Sequence, residues 1–477
     1  MKFEMVVGLE VHVELSTNTK IYCGCSTKFG DAPNSHVCPI CLGLPGSLPR
    51  LNKKVVEYAI MAGIAFNCTI SRKSRMDRKN YFYPDCPKNY QITQDKFPLC
   101  RNGFMEIELE DGTHKRIGIN RIHIEEDAAK LIHRKSGTFI DYNRAGVPLI
   151  EIVSEADIRS SEEAVLYLKK LREIVYSIGI SDCKMEEGSL RCDANISVKQ
   201  KGSTKLGIRT EIKNINSFKA LKKALEYEYK RQISVIENHG EINQETRRWN
   251  DSKLRTEVIR EKEYSKDYRY FPDGDLVTIN ITDEYIEEIK KKIPEMSYER
   301  EKRFIKEYNL SKHEVHILSL DICVSNFFED TVRISNRPQV VANWIVEYIF
   351  KLLSKNSMNI DDIKFGSEDL AELIELVVSE TISNDIGRKI LKEMFLTGES
   401  PSKIARKKKL LQNNNEDEIN KIVKLVINEN QKAVEDYKNG KKRAVKFIIG
   451  LVMKKMEGKA NPHIVSKLVK RELEKVK

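Results

Sequence analysis

The chain has 477 residues, a formal net charge of +11, 40% hydrophobic and 32% charged residues, and 10 cysteines. No stretch approaches the roughly 20 consecutive apolar residues of a membrane-spanning helix, and an acidic residue in the first few positions argues against a secretory signal. We therefore expect a cytoplasmic protein with no membrane association. At about 100–200 residues per domain, this length predicts two to four domains.

Strand patterns dominate the first part of the chain. Apolar and polar residues alternate over 7–15, 117–125 and 208–213, which is the period of a strand with one packed face. Two helices interrupt this pattern. Ser160 with Glu163 forms a capping-box sequence before the first, and the second begins after Ser217 and stops at Gly240. We predict an α+β body built on an antiparallel sheet.

Four cysteines near the start have metal-ligand spacing. Cys23, Cys25, Cys38 and Cys41 form a C-x-C-x12-C-x2-C pattern. Four thiolates suit tetrahedral Zn²⁺, and four protein ligands leave no open position for catalysis. The pattern predicts a structural zinc that holds a loop rich in glycine and proline, and the alternative is four free thiols.

Acidic and imidazole groups recur on single faces of the predicted strands. Glu10, His12 and Glu14 share a face of the first strand, and further acids follow on later segments: Glu125, Asp127, Glu151, Asp193 and Glu211. Carboxylates that converge on one face repel each other unless a cation neutralises them, and Mg²⁺ takes carboxylate oxygens. The alternative is a solvated acidic face. Neither G-x4-G-K-[ST] nor G-x-G-x-x-G occurs, so a nucleotide site would lie outside these fingerprints.

The pattern of apolar and polar residues changes near residue 294, where the strand period is replaced by a helical one. A segment over 370–378 has helical spacing, and two more apolar stripes lie near 444–452 and 464–469. A basic run followed by asparagines predicts a linker over 401–416.

Positive charge is concentrated in the last part of the chain. Residues 401–477 contain 21 Lys and Arg against 9 Asp and Glu, which leaves a net charge of −1 on the rest. A basic module on a nearly neutral body predicts a polyanion partner, and the alternative is a lysine-rich solvated surface. The patterns alone thus leave three classes open: a metal-dependent synthetic enzyme, a metal-dependent hydrolase and a non-catalytic RNA-binding protein.

Several long motifs resemble those of the GatB family, the B subunits of glutamyl/aspartyl-tRNA amidotransferases. The motifs are spread over the whole chain and are found at residues 77–85, 87–94, 141–151, 189–195, 209–217, 268–273 and 458–462. Two positions depart from the family pattern, since Cys86 stands where an aliphatic residue is usual and Asn89 where glycine is common.

This resemblance implies a specific fold and function. It implies a cradle domain over 1–293 with a zinc knuckle at 23–41, a helical domain over 294–404 and a basic helical tail domain over 405–477 that binds mischarged tRNA. The implied enzyme phosphorylates the side-chain carboxylate of Glu-tRNA(Gln) or Asp-tRNA(Asn) with ATP and Mg²⁺. Ammonia from a partner amidase (A) subunit then forms the amide, and a small C subunit connects the two.

The resemblance and the acidic pattern together assign the site residues. The expected catalytic set is Glu10, His12, Glu125, Glu151, Asp193 and Glu211. Within this set His12, Glu125 and Glu151 are the expected magnesium ligands. Lys79 and Arg144 supply cations for phosphate contacts, and the four cysteines at 23, 25, 38 and 41 align with the zinc cysteines of family members that have them.

Overall fold

The computed structural model describes residues 2–261, 268–356, 358, 360–408, 410, 415–438, 441, 443–456 and 460–475. The chain forms two compact units, 1–296 and 297–477. Some residues used in the sequence analysis lie outside the described ones: Lys409, Asn413, Asn414, Gly458 and Lys459.

The first unit is built on a nine-stranded sheet. Its strands are β1 (Phe3–Glu14), β2 (Thr69–Ile70), β6 (Cys100–Glu108), β7 (His114–Glu126), β10 (Pro148–Ser154), β11 (Leu190–Gln200), β12 (Thr210–Ile215), β13 (Glu245–Asn250) and β14 (Arg255–Glu261). Their order across the sheet is β14-β13-β12-β11-β1-β10-β7-β6-β2. Three smaller sheets combine β3 (Lys73–Ser74), β4 (Asp77–Asn80), β5 (Tyr90–Thr93), β8 (Lys130–Arg134), β9 (Gly137–Asp141), β15 (Phe271–Pro272) and β16 (Ile279–Asn280), in the orders β15-β4-β5, β16-β3 and β8-β9.

Apolar and polar residues alternate along β1 because its successive side chains point to opposite faces of the sheet. Val7, Leu9, Val11 and Val13 are fully buried in the core, whereas the even-numbered side chains point to the opposite face. β1 lies in the middle of the sheet and pairs antiparallel with β10 and β11. Burial of the apolar face fixes the strand register, because a slip by one residue would place the acids in the core.

Four helices accompany this sheet: α1 (Lys53–Ala65), α2 (Ser161–Ser177), α3 (Phe218–Glu237) and α4 (Asp283–Lys290). The two predicted caps are confirmed, since Ser160 accepts from the amide of Glu163 and Ser217 from that of Ala220. The predicted capping box is not reciprocal, because the Glu163 carboxylate accepts from the amide of Arg159 at 2.7 Å.

The helix α3 joins β12 to β13, and these two strands are parallel. Long crossover connections of this kind are what parallel pairing requires. All other pairs in the main sheet are antiparallel, so the prediction of an α+β fold on an antiparallel sheet is confirmed with one parallel pair added.

The second unit is built from helices, as the sequence predicts. They are α5 (Ser297–Tyr308), α6 (Lys312–Ser319), α7 (Ile322–Ser335), α8 (Pro338–Trp344), a π-helical turn (Ile345–Ile349), α9 (Phe350–Asn356), a 3-10 turn (Ile360–Asp362), α10 (Ser367–Val378), α11 (Asn384–Thr397), α12 (Pro401–Lys407), α13 (Glu416–Glu429), α14 (Gln431–Lys438), α15 (Arg443–Lys455) and α16 (Pro462–Lys475). Among the described residues, no helix has the length and apolar character needed to cross a bilayer.

The linker predicted over 401–416 is wrong for its first half. Residues 401–407 form α12, with proline in its first turn and basic residues in its last turn, where they complement the helix dipole. The buried Ile404 and Ala405 attach this helix to a core that begins at Phe304, and a separate core extends from Ile419 to Leu473.

Candidate active site and zinc knuckle

Five neighbouring strands, in the order β12, β11, β1, β10 and β7, supply the acidic face. On β1, His12 stands opposite Glu151 on one side and Arg191 on the other, and Glu10 stands opposite Asp193. Side chains directly opposite on one face have Cβ atoms about 4.5–5.5 Å apart. The strand register therefore brings together groups that are up to about 200 positions apart in the sequence.

His12, Glu125 and Glu151 form the centre of this face. The Nδ1 atom of His12 lies 3.1 Å from Oε1 of Glu125, and the ligand atoms of all three residues lie within 4.8 Å of one another. Burial alone would lower the pKa of His12, but the hydrogen bond to Glu125 and the charge of Glu151 raise it to about 9. The imidazole is therefore a cation at neutral pH when no metal ion is bound.

His123 approaches the same two carboxylates from β7. Its Nε2 atom lies 3.3 Å from Glu151 Oε2 and 3.9 Å from Glu125 Oε2. Partial burial would raise the pKa of Glu151, yet His123 and His12 hold it far below the usual range. Two imidazoles thus lie against two carboxylates, of which Glu125 is buried and Glu151 is partly buried.

The other three predicted acids form a second group on β1, β11 and β12. Lys213 Nζ lies 2.5 Å from Asp193 Oδ2 and 3.0 Å from Glu211 Oε1, and Asn195 donates to Glu10 Oε1 at 2.9 Å. Burial and the negative charge of Glu151 raise the pKa of Glu10. The six predicted residues therefore share one face but divide into a histidine-linked group and a lysine-linked group.

The residues present fit a divalent cation at the first group. Mg²⁺ binds oxygen ligands at about 2.0–2.1 Å, so two ligands of one ion lie at most about 4.2 Å apart, and atoms within 4.8 Å of one another need only a small movement to share it. The carboxylates of Glu125 and Glu151 match this preference, whereas imidazole is a more usual ligand of zinc, copper, iron or nickel. His12 would have to lose its proton to act as a third ligand.

The two predicted phosphate contacts lie in different places. Lys79 is on β4, with Nζ 4.9 Å from the centre of the Tyr268 ring. Arg144 donates to the carbonyls of Ala128 and Ala129 and lies 3.4 Å from Asp127. In this structure Arg144 supports the backbone that follows β7.

Several residues near the site were not selected from the sequence. Glu14 and Asp127 form a hydrogen-bonded carboxyl pair beside Arg191, whose Nη2 donates to Asp127 at 2.8 Å. Burial and the charge of Asp127 raise the pKa of Glu14 to about 8, so Glu14 is largely protonated at neutral pH. The period-two pattern of β1 places Glu14 on the acidic face, and the same pattern in β7, where His123 lies two residues before Glu125, is the signal that identifies His123.

The four cysteines of the predicted knuckle come together as expected. Their sulfur atoms lie within 4.8 Å of one another, and Cys38 and Cys41 Sγ are 3.9 Å apart. Tetrahedral zinc with Zn–S bonds of about 2.3 Å requires sulfur atoms roughly 3.8 Å apart, so this set fits zinc. A hydrogen bond from Cys23 lowers the pKa of Cys41 to about 4, and the buried ammonium of Lys20 acts in the same direction.

The fold and the site together define a class of protein. An antiparallel sheet whose polar face gathers carboxylates and imidazoles, a cysteine cluster that fits zinc and a helical second unit together suit a multidomain enzyme.

Comparison with known proteins defines the family. Residues 5–287 match the model of the GatB/GatE catalytic domain, and residues 326–473 match that of the GatB domain. Similar proteins from Clostridium kluyveri (60% identity over 475 residues), Clostridium tetani (58% over 476) and Clostridium botulinum (58% over 476) are named as the B subunit of aspartyl/glutamyl-tRNA(Asn/Gln) amidotransferase, each match covering 100% of both chains. The chain belongs to this GatB family and is thus part of an amidotransferase, a ligase. The predicted family and enzyme class are confirmed.

Proposed function

We propose that this chain activates the side-chain carboxylate of mischarged Glu-tRNA(Gln), Asp-tRNA(Asn) or both with ATP and Mg²⁺, and then converts it to the amide. The names of its relatives support the tRNA substrates. The ammonia comes from glutamine, which a partner amidase subunit hydrolyses, and a small C subunit completes a heterotrimer in the cytoplasm.

The reaction consists of two nucleophilic displacement steps. A carboxylate oxygen attacks the γ-phosphorus of ATP, the bond to the β-phosphate oxygen breaks, and ADP leaves. Ammonia then attacks the carbonyl carbon of the acyl phosphate, inorganic phosphate leaves, and the nitrogen loses a proton. Phosphoryl transfer depends mainly on positioning and charge neutralisation.

The observation that carries this proposal is the group formed by His12, Glu125 and Glu151 at the centre of the acidic face. Glu125 and Glu151 would hold Mg²⁺, which neutralises phosphate charge when bound. His12 would be the third ligand, and Glu10, Asp193 and Glu211 would complete the polar surroundings of the reacting groups. Lys79 and Arg144 remain our candidates for phosphate contacts, the latter after release from the carbonyls of Ala128 and Ala129.

We assign supporting roles to the remaining parts. The zinc knuckle is structural, because four cysteine ligands leave no open position. The tail domain, predicted over 405–477, binds the tRNA through its basic surface. Its separate core between Ile419 and Leu473 supports its treatment as a domain, whereas Ala405 packs in the core that begins at Phe304. The cradle domain (1–293) would carry the chemistry, and the helical domain (294–404) would connect the two.

The test is amidation by the complex assembled from the three subunits. Glu125→Gln keeps the size of the side chain but removes its charge, and should lower conversion of Glu-tRNA to Gln-tRNA at least about 100-fold. The matched control is Glu110→Gln, an exposed acid outside the acidic face. Full amidation by Glu125→Gln, or an equal loss in both variants, would contradict the assignment.

A further inference from the structure

A loop that follows β4 presents unusual aromatic exposure. In the segment at 81–85, Phe82 is 73% exposed and Tyr83 is 56% exposed. Aromatic rings normally contribute their large apolar area to a core, so two adjacent exposed rings indicate a contact surface. We call residues 81–85 the aromatic loop.

The hairpin formed by β8 and β9 carries exposed positive charge. Residues 130–141 include three cations with exposed side chains, Lys130, Arg134 and Lys135, and one acidic residue, Asp141, at the end of β9. Phe139 is 51% exposed, and the guanidinium of Arg134 lies 5.3 Å from the centre of its ring. We call residues 130–141 the basic hairpin.

Hydrogen bonds join these two elements to each other and to the acidic face. The amide of Ala129, at the start of the hairpin, donates to the Asp85 carbonyl at 2.9 Å, and the Tyr142 hydroxyl donates to the Pro84 carbonyl at 3.1 Å. Two residues before Ala129, the Asp127 carboxylate accepts from Arg191, which stands opposite His12 in the sheet. The aromatic loop and the base of the basic hairpin are therefore connected, through Asp127 and Arg191, to the strand face that holds His12.

We propose that the aromatic loop and the basic hairpin form one binding surface for a single-stranded RNA end, namely the 3′ end of the tRNA that carries the amino acid. Bases stack on Phe82, Tyr83 and Phe139, and the hairpin cations contact the phosphates. Exposed aromatic rings beside cations are the usual platform for single-stranded nucleic acids, because every base offers a face for stacking. Charge favours an RNA partner, since Lys130, Arg134 and Lys135 are exposed on the hairpin, whereas its acidic residue, Asp141, accepts from the backbone amides of Asn34 and Asn143.

This inference rests on the proposed function, because that function supplies the tRNA. The test uses the assembled amidotransferase and two uncharged RNA probes, a full-length tRNA(Gln) transcript and the same transcript without its last four nucleotides. Wild type should bind the shortened RNA at least about tenfold more weakly. The double variant Phe82→Ala with Tyr83→Ala should bind full-length tRNA about tenfold more weakly, with little further loss for the shortened RNA.

A hairpin variant provides an independent test. Arg134→Glu with Lys135→Glu should weaken binding of the full-length RNA and reduce the salt dependence of that binding. Phe82→Trp with Tyr83→Trp retains stacking and should restore affinity, which separates stacking from a general structural role. The matched controls are Tyr176→Ala, 47% exposed on α2, and Lys201→Glu with Lys205→Glu in the exposed turn between β11 and β12.

The outcomes distinguish failure of the proposed function from failure of the proposed RNA-binding surface. A wild-type complex that binds no tRNA would contradict the proposed function itself. A wild type that binds tRNA, with surface variants that weaken both RNAs equally or neither, would overturn this inference alone. Loss of another subunit from the purified variants would also overturn it, by showing that the surface is a protein interface.

Discussion

The ammonium of Lys213 lies 2.5 Å from the carboxylate of Asp193, two strands of the sheet contributing one residue each. The same nitrogen reaches Glu211, so one cation contacts two of the five predicted site acids. Burial opposes the charge on Lys213, yet these acids raise its pKa above the usual range. Lys213 thus supplies the positive charge that offsets the carboxylates of Asp193 and Glu211.

Removal of this ammonium should damage the reaction. In Lys213→Met the carboxylates of Asp193 and Glu211 repel each other and the polyphosphate of ATP, so kcat/KM for ATP should fall at least about tenfold. The matched control is Lys199→Met, since Lys199 lies on β11 and pairs with Glu4 at 3.1 Å. Steady-state amidation kinetics with varied ATP measure the difference, and equal kinetics for both variants would refute the role of Lys213.

The zinc assignment predicts a specific pattern of thiol reactivity. Protein purified without chelators should contain about one zinc per chain, and a strong chelator should release it and expose four thiols to alkylation. The remaining buried thiols should react slowly with the alkylating reagent, because burial raises the pKa of Cys183 to about 11 and that of Cys100 well above its usual value. Metal analysis with mass spectrometry of alkylated peptides checks both parts. Zinc-free protein with the same thiol pattern before and after chelation would contradict the knuckle.

One exposed face of α15 carries the basic and aromatic side chains that our proposal places against the tRNA. Arg443, Lys446, Phe447 and Lys454 are exposed at helical spacing, and Gly450 between them leaves room for close approach of a backbone. Lys446→Glu with Lys454→Glu should weaken tRNA binding at least about tenfold and lower its salt dependence. ATP binding should be unchanged.

The control for this charge reversal lies in the same unit. Lys302→Glu with Lys306→Glu changes the net charge by the same amount on exposed positions of α5. Titration of labelled tRNA at several salt concentrations compares the two variants. Equal weakening by both would mean that overall charge, rather than this helix face, controls binding.

A buried charge network supports the end of the sheet. Glu228 on α3 is fully buried and accepts hydrogen bonds from Gln232, Thr256 and Arg231. Glu228→Ala should destabilise this region by about 3–5 kcal/mol, because it leaves buried donors unpaired. Glu226 lies on the same helix with its side chain 42% exposed, and Glu226→Ala should cost less than about 1 kcal/mol. Hydrogen–deuterium exchange across α3 and β13 measures the difference, and equal protection in both variants would contradict this role of the network.

Much of the fold follows from local pattern. Period-two alternation located β1 and β7, and the serines at 160 and 217 located the starts of α2 and α3, because these signals depend on neighbouring residues only. The parallel pairing of β12 with β13 depends on how α3 packs, which no short pattern contains. The pattern of residues 401–407 predicts a linker because their charge obscures Ile404 and Ala405, the two buried residues that make α12 part of a core.

The sequence predicts which residue types form the site, but it predicts few of the contacts between them. Alternation placed Glu10 and His12 on one face, but only the strand register brings Glu125 and Glu151 to His12. Lys213 and Arg191 could not be chosen in this way, since any lysine or arginine on a strand face resembles a solvated one. The partners of Arg144 were equally hidden, because they are backbone carbonyls.

The most direct test of the central claim follows one oxygen atom. Glu-tRNA(Gln) labelled with ¹⁸O in its side-chain carboxylate is given to the assembled enzyme with ATP and glutamine, and the inorganic phosphate is analysed by mass spectrometry. Our account predicts one labelled oxygen in phosphate for each Gln-tRNA formed, and neither product with Glu125→Gln. Amide formation with unlabelled phosphate, or transfer of the label at the wild-type rate by Glu125→Gln, would contradict activation of the carboxylate at this acidic face.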